Sequence, residues 1–180
     1  LVACTLFSAE YLKTISPTPC KISLAYYGLD LSQFRSDDVV LRSGSPVRFL
    51  SVGQAAEKTG YEDLLEALAF LPAELDWTFT HIGEGPRLKG LKRKAMSVGL
   101  DQRTTWLGAQ TQEEVLHAYK NADVFVLPCR VARNGSWYGL PSVLMEAQSQ
   151  GVACIATRVS AIPELILHEE TGLLAVPGDP

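Results

Sequence analysis

The sequence lacks the features that mark several classes of protein. No apolar run approaches the roughly 18 to 20 residues that a membrane-spanning helix needs, and no secretory signal peptide is visible. There is no internal repeat and no low-complexity segment. The net charge of −4 provides no basic excess for binding nucleic acid, and the basic cluster at residues 87–94 has the helical spacing of a solvated helix face. With 47% apolar residues, the composition indicates a soluble globular protein.

Cysteine is scarce, and its four positions form no close pair with the spacing of a metal site. Cys129 and Cys154 fall at or in apolar segments, where we expect free, buried thiols. Free thiols are typical of a reducing compartment. We therefore predict a cytoplasmic location, and peripheral contact with the inner face of the membrane stays open.

Both ends of the chain fall close to apolar stretches. The sequence begins at Leu1, without an initiating Met, and ends at Pro180 directly after an apolar segment at 173–176. We expect a piece of a longer protein. Its 180 residues suffice for one sizeable core and part of a second domain.

Apolar, β-branched segments alternate with amphipathic ones along most of the chain. This pattern predicts an α/β fold with a doubly wound, Rossmann-like parallel sheet. The linker at 36–46 is the expected domain boundary, with the tail of one domain and the linker at 1–46 and a second domain at 47–180. Strands are predicted at 21–25, 47–52, 77–82, 104–107, 124–127, 153–156 and 173–176, and helices at 8–14, 61–70, 87–97, 112–120, 141–149 and 162–167.

Residues 139–151, with the sequence Gly-Leu-Pro-Ser-Val-Leu-Met-Glu-Ala-Gln-Ser-Gln-Gly, form the most informative stretch. They follow an apolar strand and a polar loop, and Pro141 is predicted in the first helical turn, where its missing N–H costs nothing. The free N–H groups of Leu140, Ser142 and Val143 then point out of the helix start. A phosphate can bind at such a position.

Glu146 lies further along the same helix, beside Leu144 and Met145, which is a costly place for a carboxylate without a partner. A phosphate cradle with an acid nearby indicates a nucleotide or nucleotide-sugar site. The alternative is an ordinary strand–turn–helix corner with an exposed Glu, and the stretch alone does not decide between the two.

Four polar or glycine-containing turns follow predicted strands, at 53–60, 83–86, 108–111 and 130–141. In a doubly wound sheet, ligands bind beyond the carboxyl ends of the strands. We expect all four turns to open on one edge and to line one cleft. Taken singly, each turn is also explained by the need to reverse the chain.

Ten short sequence motifs follow one another along the chain. They are Phe-Leu-Ser-Val-Gly at 49–53, Glu-Lys-Thr-Gly at 57–60, Leu-Leu-Glu-Ala at 64–67, His-Ile-Gly-Glu-Gly-Pro at 81–86, Trp-Leu-Gly at 106–108, Ala-Asp-Val-Phe-Val-Leu-Pro at 122–128, Gly-Leu-Pro at 139–141, Glu-Ala at 146–147, Ile-Pro-Glu-Leu-Ile at 162–166 and Gly-Leu-Leu at 172–174. In order and spacing, these stretches resemble the C-terminal, donor-binding half of a family-4 retaining glycosyltransferase. Residues 25–30 resemble the segment that closes the N-terminal domain of that family.

The resemblance implies a two-domain GT-B architecture in which this half holds a nucleotide-diphosphate sugar. It implies no metal and no cofactor, and it implies a sugar or lipid-linked acceptor and the missing N-terminal domain as partners. Glu146 matches the second acid of the family's Glu-x7-Glu motif and is expected to bind the ribose, while Lys58 is a candidate to act on the leaving diphosphate. The donor-binding positions that the resemblance assigns are Gly53, Gln54, Thr59, Gly83, Gly85, Gly108, Ala109, Gln110, Tyr138, Gly139, Leu140, Pro141, Ser142 and Val143.

The chain departs from the family pattern at three of these positions. Gln54 stands where the family usually has Arg, and Thr59 stands where it usually has Lys. Tyr138 stands at the first acid of the Glu-x7-Glu motif. We expect Gln54 and Thr59 to lie at the rim of the cleft with their side chains toward the phosphates. The loss of one preorganised donor to developing negative charge costs about 3 to 4 kcal/mol.

Three basic residues are candidates to compensate for these losses. Lys58 is one residue out of register and is the best of them, although a solvated loop lysine is the alternative. Arg130 and Arg133 lie on the loop before the phosphate turn.

Three functions stay open on the sequence. The first is a glycosyltransferase for surface polysaccharide or glycolipid synthesis. The second is a degenerate domain that binds a nucleotide weakly or acts as a scaffold. The third is a nucleotide-sugar epimerase on the same fold, and the Glu146 motif favours transfer over it.

Overall fold

The computed structural model describes residues 1–18, 21–32, 34, 44 and 46–180. Strands and helices alternate along these residues. The strands are β1 (Val2–Ala3), β2 (Ser23–Leu24), β3 (Val47–Val52), β4 (Trp77–Ile82), β5 (Thr104–Gly108), β6 (Val124–Leu127), β7 (Ala153–Thr157) and β8 (Leu173–Ala175). The helices are α1 (Leu6–Ile15), α2 (Tyr61–Ala69), α3 (Leu88–Ser97), α4 (Gln112–Lys120), α5 (Ser142–Ser149) and α6 (Ile162–Leu165), with short 3₁₀ turns at Glu57–Thr59 and Asp101–Arg103.

Six of the strands form one parallel sheet in the order β5-β4-β3-β6-β7-β8. The chain steps outward from β3 to β5 and then returns to the other side of β3 to lay down β6, β7 and β8. This is the doubly wound order, and its switch point lies between β3 and β6. The predicted α/β fold is confirmed.

Helices cover both faces of the sheet, because neighbouring residues of a strand point to opposite sides. On one face Tyr61 of α2 contacts Ser51 of β3 through its hydroxyl and lies 4.6 Å from the ring of His81 on β4. On the opposite face Phe125 of β6 meets Tyr119 of α4, with 5.5 Å between ring centroids. The core therefore lies in two layers, one on each side of the sheet.

Element boundaries shift where local chemistry overrides periodicity. The first helix begins at Leu6 rather than at 8, because the Thr5 side chain accepts a hydrogen bond from Ser8 N and caps the helix. Pro141 is the N-cap of α5 in extended conformation, so the prediction of its place in the first turn is wrong by one residue. The last predicted helix ends at Leu165, since Ile166 is already extended. The predicted linker at 36–46 lies largely outside the described residues.

The segment before the main sheet forms a small β–α–β unit of its own. Its strands β1 and β2 pair in parallel, and α1 connects them. The Glu164 carboxylate of α6 accepts hydrogen bonds from Leu6 N at 2.7 Å, Phe7 N at 2.8 Å and the Tyr26 hydroxyl at 2.8 Å. This unit therefore packs at the carboxyl edge of the sheet, where the predicted cleft opens.

Two observations bear on the expectations from composition. Within the described ranges, no helix combines the length and apolar character that a membrane crossing requires. Cys129 and Cys154 are buried free thiols, and burial raises the pKa of each to about 12. The prediction of buried thiols at these two positions is confirmed.

Candidate functional site

The four predicted turns meet at one edge of the sheet and are joined by backbone hydrogen bonds. Ala55 N donates to Glu84 O at 2.8 Å, and Gly83 N donates to Gly108 O at 2.8 Å. Arg130 N donates to Lys58 O at 2.9 Å. The turns after β3, β4, β5 and β6 therefore form one continuous surface, as expected.

Glycine allows two of these turns to touch. A Cβ atom on Gly83 would lie 2.0 Å from the carbonyl oxygen of Gly53, and one on Gly85 would lie 2.4 Å from that of Ala55. Both glycines also have positive φ, a backbone conformation that side chains disfavour. Their role in this structure is close approach of backbone to backbone.

The start of α5 leaves backbone donors open. Pro141 offers no side-chain cap to the helix, and within the described part of the chain the N–H groups of Ser142 and Val143 have no partner. Gly139 and Ser142 are exposed. The helix start thus has the geometry and the partial positive charge that bind an anion. The Tyr27 hydroxyl donates to Leu140 O and holds the turn that precedes the helix.

Glu146 is half-buried on α5 and has a partner that periodicity did not reveal. The Tyr119 hydroxyl lies 3.3 Å from Glu146 Oε2 and 3.1 Å from Val143 O. Burial, with the nearby carboxylate, raises the pKa of Tyr119 well above its usual range, so this hydroxyl keeps its proton. Among the described residues, no hydrogen-bond donor contacts the other carboxylate oxygen, Oε1.

Lys58 and Tyr138 are brought together. The Lys58 Nζ atom lies 4.0 Å from the centroid of the Tyr138 ring, within cation–π range. Burial raises the pKa of Tyr138, with a smaller effect from Cys129. A cation is therefore held directly beside the turn at Gly139, at the position where the family pattern has an acid.

The expectation that Thr59 lies at the rim with its side chain toward the phosphates is wrong. Thr59 is 1% exposed, and its hydroxyl lies 2.6 Å from Ala56 O and 2.9 Å from Gln54 O. The 3₁₀ turn Glu57–Thr59 closes on this hydroxyl, which also accepts from Ala56 N at 3.2 Å. The side chain of Gln54 is exposed.

Arg130 and Arg133 are paired with acidic residues, whereas Lys58 contacts Tyr138. The Arg130 guanidinium donates to Asp63 at 2.9 and 3.2 Å and to Glu62 at 3.1 Å, so it is bound to α2. Arg133 is 93% exposed and lies 3.6 Å from Glu57. Of the three candidates, Lys58 is the one beside Tyr138.

The turn after β5 holds the positions assigned to the base. Gly108 has φ +71, Ala109 is exposed, and the Gln110 side-chain amide donates to Leu107 O at 2.8 Å. This turn lies on the side of β4 remote from β3. A ligand that reaches from Gly108 to the start of α5 must therefore cross the turns after β4 and β3.

The sequence of this chain matches a known family of proteins. The family described as "Glycosyl transferases group 1" matches residues 33–180. The chain therefore belongs to the group 1 glycosyltransferases.

Individual relatives sharpen this assignment. The chain is 33% identical over 162 residues to the amylovoran biosynthesis glycosyltransferase AmsK of Erwinia amylovora, with 88% of this chain and 39% of that protein covered. It is 29% identical over 156 residues to the GDP-mannose-dependent alpha-(1-6)-phosphatidylinositol monomannoside mannosyltransferase of Mycobacterium tuberculosis, with 82% and 40% covered. The chain spans about two fifths of the length of these relatives.

Solved structures confirm the GT-B type of fold. The lipopolysaccharide outer core galactosyltransferase WaaB is similar with a TM-score of 0.79 at 24% identity, over 98% of this chain and 48% of that one. HepE of Anabaena, solved in complex with UDP and glucose, is similar with a TM-score of 0.83 at 18% identity, over 99% and 49%.

Proposed function

We propose that residues 47–180 bind the donor of a retaining glycosyltransferase, a nucleotide-diphosphate sugar, and that residues 1–46 are the tail of an N-terminal domain with its linker. One observation supports this most strongly. The open N–H groups of Ser142 and Val143 lie on the same turn as Tyr138, which holds Lys58. HepE, which shares the fold, was solved with UDP-glucose.

In this proposal the protein stabilises the leaving diphosphate. The bond between the anomeric carbon and the diphosphate oxygen breaks, and a bond from that carbon to the acceptor oxygen forms on the same face of the sugar. The proton of the acceptor hydroxyl passes to the leaving diphosphate. Negative charge grows on the diphosphate as its bond breaks. Donors that are already fixed, here Ser142 N, Val143 N and the Lys58 ammonium, stabilise that charge without reorganisation.

The nucleoside is assigned to the remaining polar groups. The free carboxylate oxygen of Glu146 accepts from a ribose hydroxyl, while Tyr119 fixes the orientation of the side chain. The base lies against the turn formed by Gly108, Ala109 and Gln110. The turns that follow four neighbouring strands, β5, β4, β3 and β6, contribute to this cleft.

The biological setting is inferred from the relatives. AmsK is named for amylovoran biosynthesis, and another relative, WcaL of Escherichia coli, for colanic acid biosynthesis. We therefore propose transfer to a sugar or lipid-linked acceptor in surface polysaccharide or glycolipid synthesis. This proposal places the protein in the cytoplasm, at or near the inner face of the membrane.

A degenerate nucleotide-binding domain is the second candidate, and the turn after β3 supports it. Gln54 carries no charge, and Thr59 is buried in its own turn. Calorimetric titration of this chain with UDP and GDP separates a binding domain from a scaffold, because only the former releases or takes up heat. Product analysis of the full-length protein with a panel of nucleotide sugars then separates transfer from epimerisation and from binding alone.

A further inference from the structure

A second cavity lies at the same edge of the sheet, beyond the phosphate turn and beside β7 and β8. Its volume is about 570 Å³, and α1, the loop before α5, the loop before α6 and the segment after β8 all contribute to its wall. None of the donor-binding positions assigned above lines it. The cavity therefore adjoins the proposed donor site, and its wall contains none of the positions assigned to that site.

The cavity has a positive charge that the fold leaves uncompensated. Both charged residues in its wall are arginines, Arg130 and Arg158. Arg130 is neutralised by Glu62 and Asp63. The Arg158 guanidinium is exposed and, among the residues that the structure describes, has no hydrogen-bond or ion-pair partner. A planar guanidinium in this state is suited to a carboxylate or a phosphate.

Ser160 adds an unsatisfied hydroxyl. Its Oγ atom is buried and makes no hydrogen bond within the described ranges. Its backbone is also in the left-handed region, with φ 53, which is rare for a residue with a side chain. Backbone strain and an unpaired polar atom therefore coincide in the loop before α6, and backbone strain of this kind is common beside binding sites.

Aromatic rings form another part of the wall. Trp137 is 39% exposed, and its centroid lies 6.1 Å from those of Phe7 and Tyr11 in edge contacts with interplanar angles of 83°. These contacts fix the indole ring. A fixed aromatic ring packs well against the apolar C–H face of a sugar while polar groups nearby bind its hydroxyls.

We propose that this cavity binds a sugar unit that carries a carboxylate or a phosphate, with the anion on Arg158 and the ring against Trp137. This inference rests on the proposed function and narrows its substrate class to an acidic sugar. The acidic sugar is either a unit of the acceptor or the sugar of the donor, and the experiment below distinguishes them.

The test is an NMR titration of the chain, followed at the Trp137 indole N–H signal. Glucuronic acid and glucose 6-phosphate are compared with glucose and with inorganic phosphate. We expect both acidic sugars to bind more tightly than either comparator. Arg158→Ala should weaken the acidic sugars about tenfold, the value of one charge-assisted bond, and leave glucose unchanged.

A further variant controls for the loss of a positive charge. Arg93→Ala removes an equal charge from the exposed face of α3 and should change nothing.

A comparison of the affinities for UDP-glucuronate and UDP-glucose shows whether the acidic sugar belongs to the donor or to the acceptor. If the anion belongs to the donor, UDP-glucuronate binds more tightly than UDP-glucose, and Arg158→Ala abolishes the difference. If it belongs to the acceptor, Arg158→Ala leaves that ratio unchanged and weakens only the free acidic sugars.

Inorganic phosphate binding as tightly as glucose 6-phosphate, or acidic sugars unaffected by Arg158→Ala, would overturn the inference. UDP serves as the independent check, since its binding should be equal in the parent chain and in Arg158→Ala. UDP binding without acidic-sugar binding refutes this inference alone, whereas failure of both UDP and GDP to bind refutes the proposed function.

Discussion

The turn after β3 and the start of α5 follow two neighbouring strands, β3 and β6. Their polar groups differ, because those of the turn are hydrogen-bonded and those of the helix start are not. In the turn after β3, the Thr59 hydroxyl is bonded to the backbone of its own turn. At the start of α5, Ser142 N and Val143 N have no partner in the described part of the chain. Capacity to bind an anion therefore lies in the groups that folding leaves unpaired, and the Thr59 hydroxyl is not one of them.

The largest effect is expected from separating the turns after β3 and β4. Gly83→Ala places a Cβ atom 2.0 Å from Gly53 O at a backbone φ of +139, so the turns after β3 and β4 must separate. We expect a loss of about 3 kcal/mol or more in the free energy of unfolding. Urea denaturation measures it.

Gly90→Ala is the matched control. Gly90 lies in α3 with no atom within 4 Å of an added Cβ, so alanine should stabilise the chain by about 0.5 to 1 kcal/mol. Equal effects at Gly83 and Gly90 would contradict the tight joint between the turns.

Beneath the same turn, His81 makes stability depend on pH. Its ring nitrogens have no hydrogen-bond partner among the described residues, and burial lowers its pKa from 6.5 to about 4. Between pH 4 and pH 6.5, His81 is protonated in the unfolded chain and neutral in the folded chain. Stability contributed by neutral His81 is thus complete above pH 6.5 and is lost as the pH falls toward 4.

We expect this loss to reach about 3 kcal/mol relative to His81→Leu, whose side chain does not titrate. Urea denaturation of both proteins across the pH range measures the difference. Parallel pH profiles for the two would show that His81 is not the group responsible.

On the open side of the cleft, Glu146→Ala should weaken nucleotide binding by about 1.5 to 3 kcal/mol, the range for a hydrogen bond to a charged group. Isothermal titration calorimetry with UDP or GDP measures it. Glu170→Ala removes an exposed carboxylate away from the cleft and serves as the control. Unchanged affinity in folded Glu146→Ala would exclude this residue from the site.

The smallest effect is expected from restoring positive charge to the turn after β3. Gln54→Arg should raise affinity for a nucleoside diphosphate about tenfold, which requires about 1.4 kcal/mol, and the gain should shrink with salt. Adding Thr59→Lys should bring no further gain, because residue 59 is buried. A gain from Thr59→Lys in calorimetry would show that this turn opens on binding.

Periodicity and turn residues in the sequence predicted the fold well. Apolar alternation located β3, β4 and β6 to the residue, because buried parallel strands read as short apolar runs. The same reasoning placed the four turns on one edge.

The sequence pattern could not predict contacts between residues that lie far apart in the chain. Tyr119 lies 27 positions from Glu146, and no local pattern marks the pair. The inward direction of Thr59 depends on a 3₁₀ turn of three residues, which is too short to show a period. Glu164, inside a recognised stretch, binds α1 through backbone N–H groups that any sequence would supply.

The most direct test of the central claim is an amide NMR titration of the chain with UDP and with uridine. We predict that the N–H signals of Ser142 and Val143 shift with UDP and hardly move with uridine, since only the diphosphate reaches the start of α5. Lys58→Met should reduce the shift with UDP and leave any response to uridine unchanged. Binding of UDP that leaves both amide signals unmoved would contradict the account.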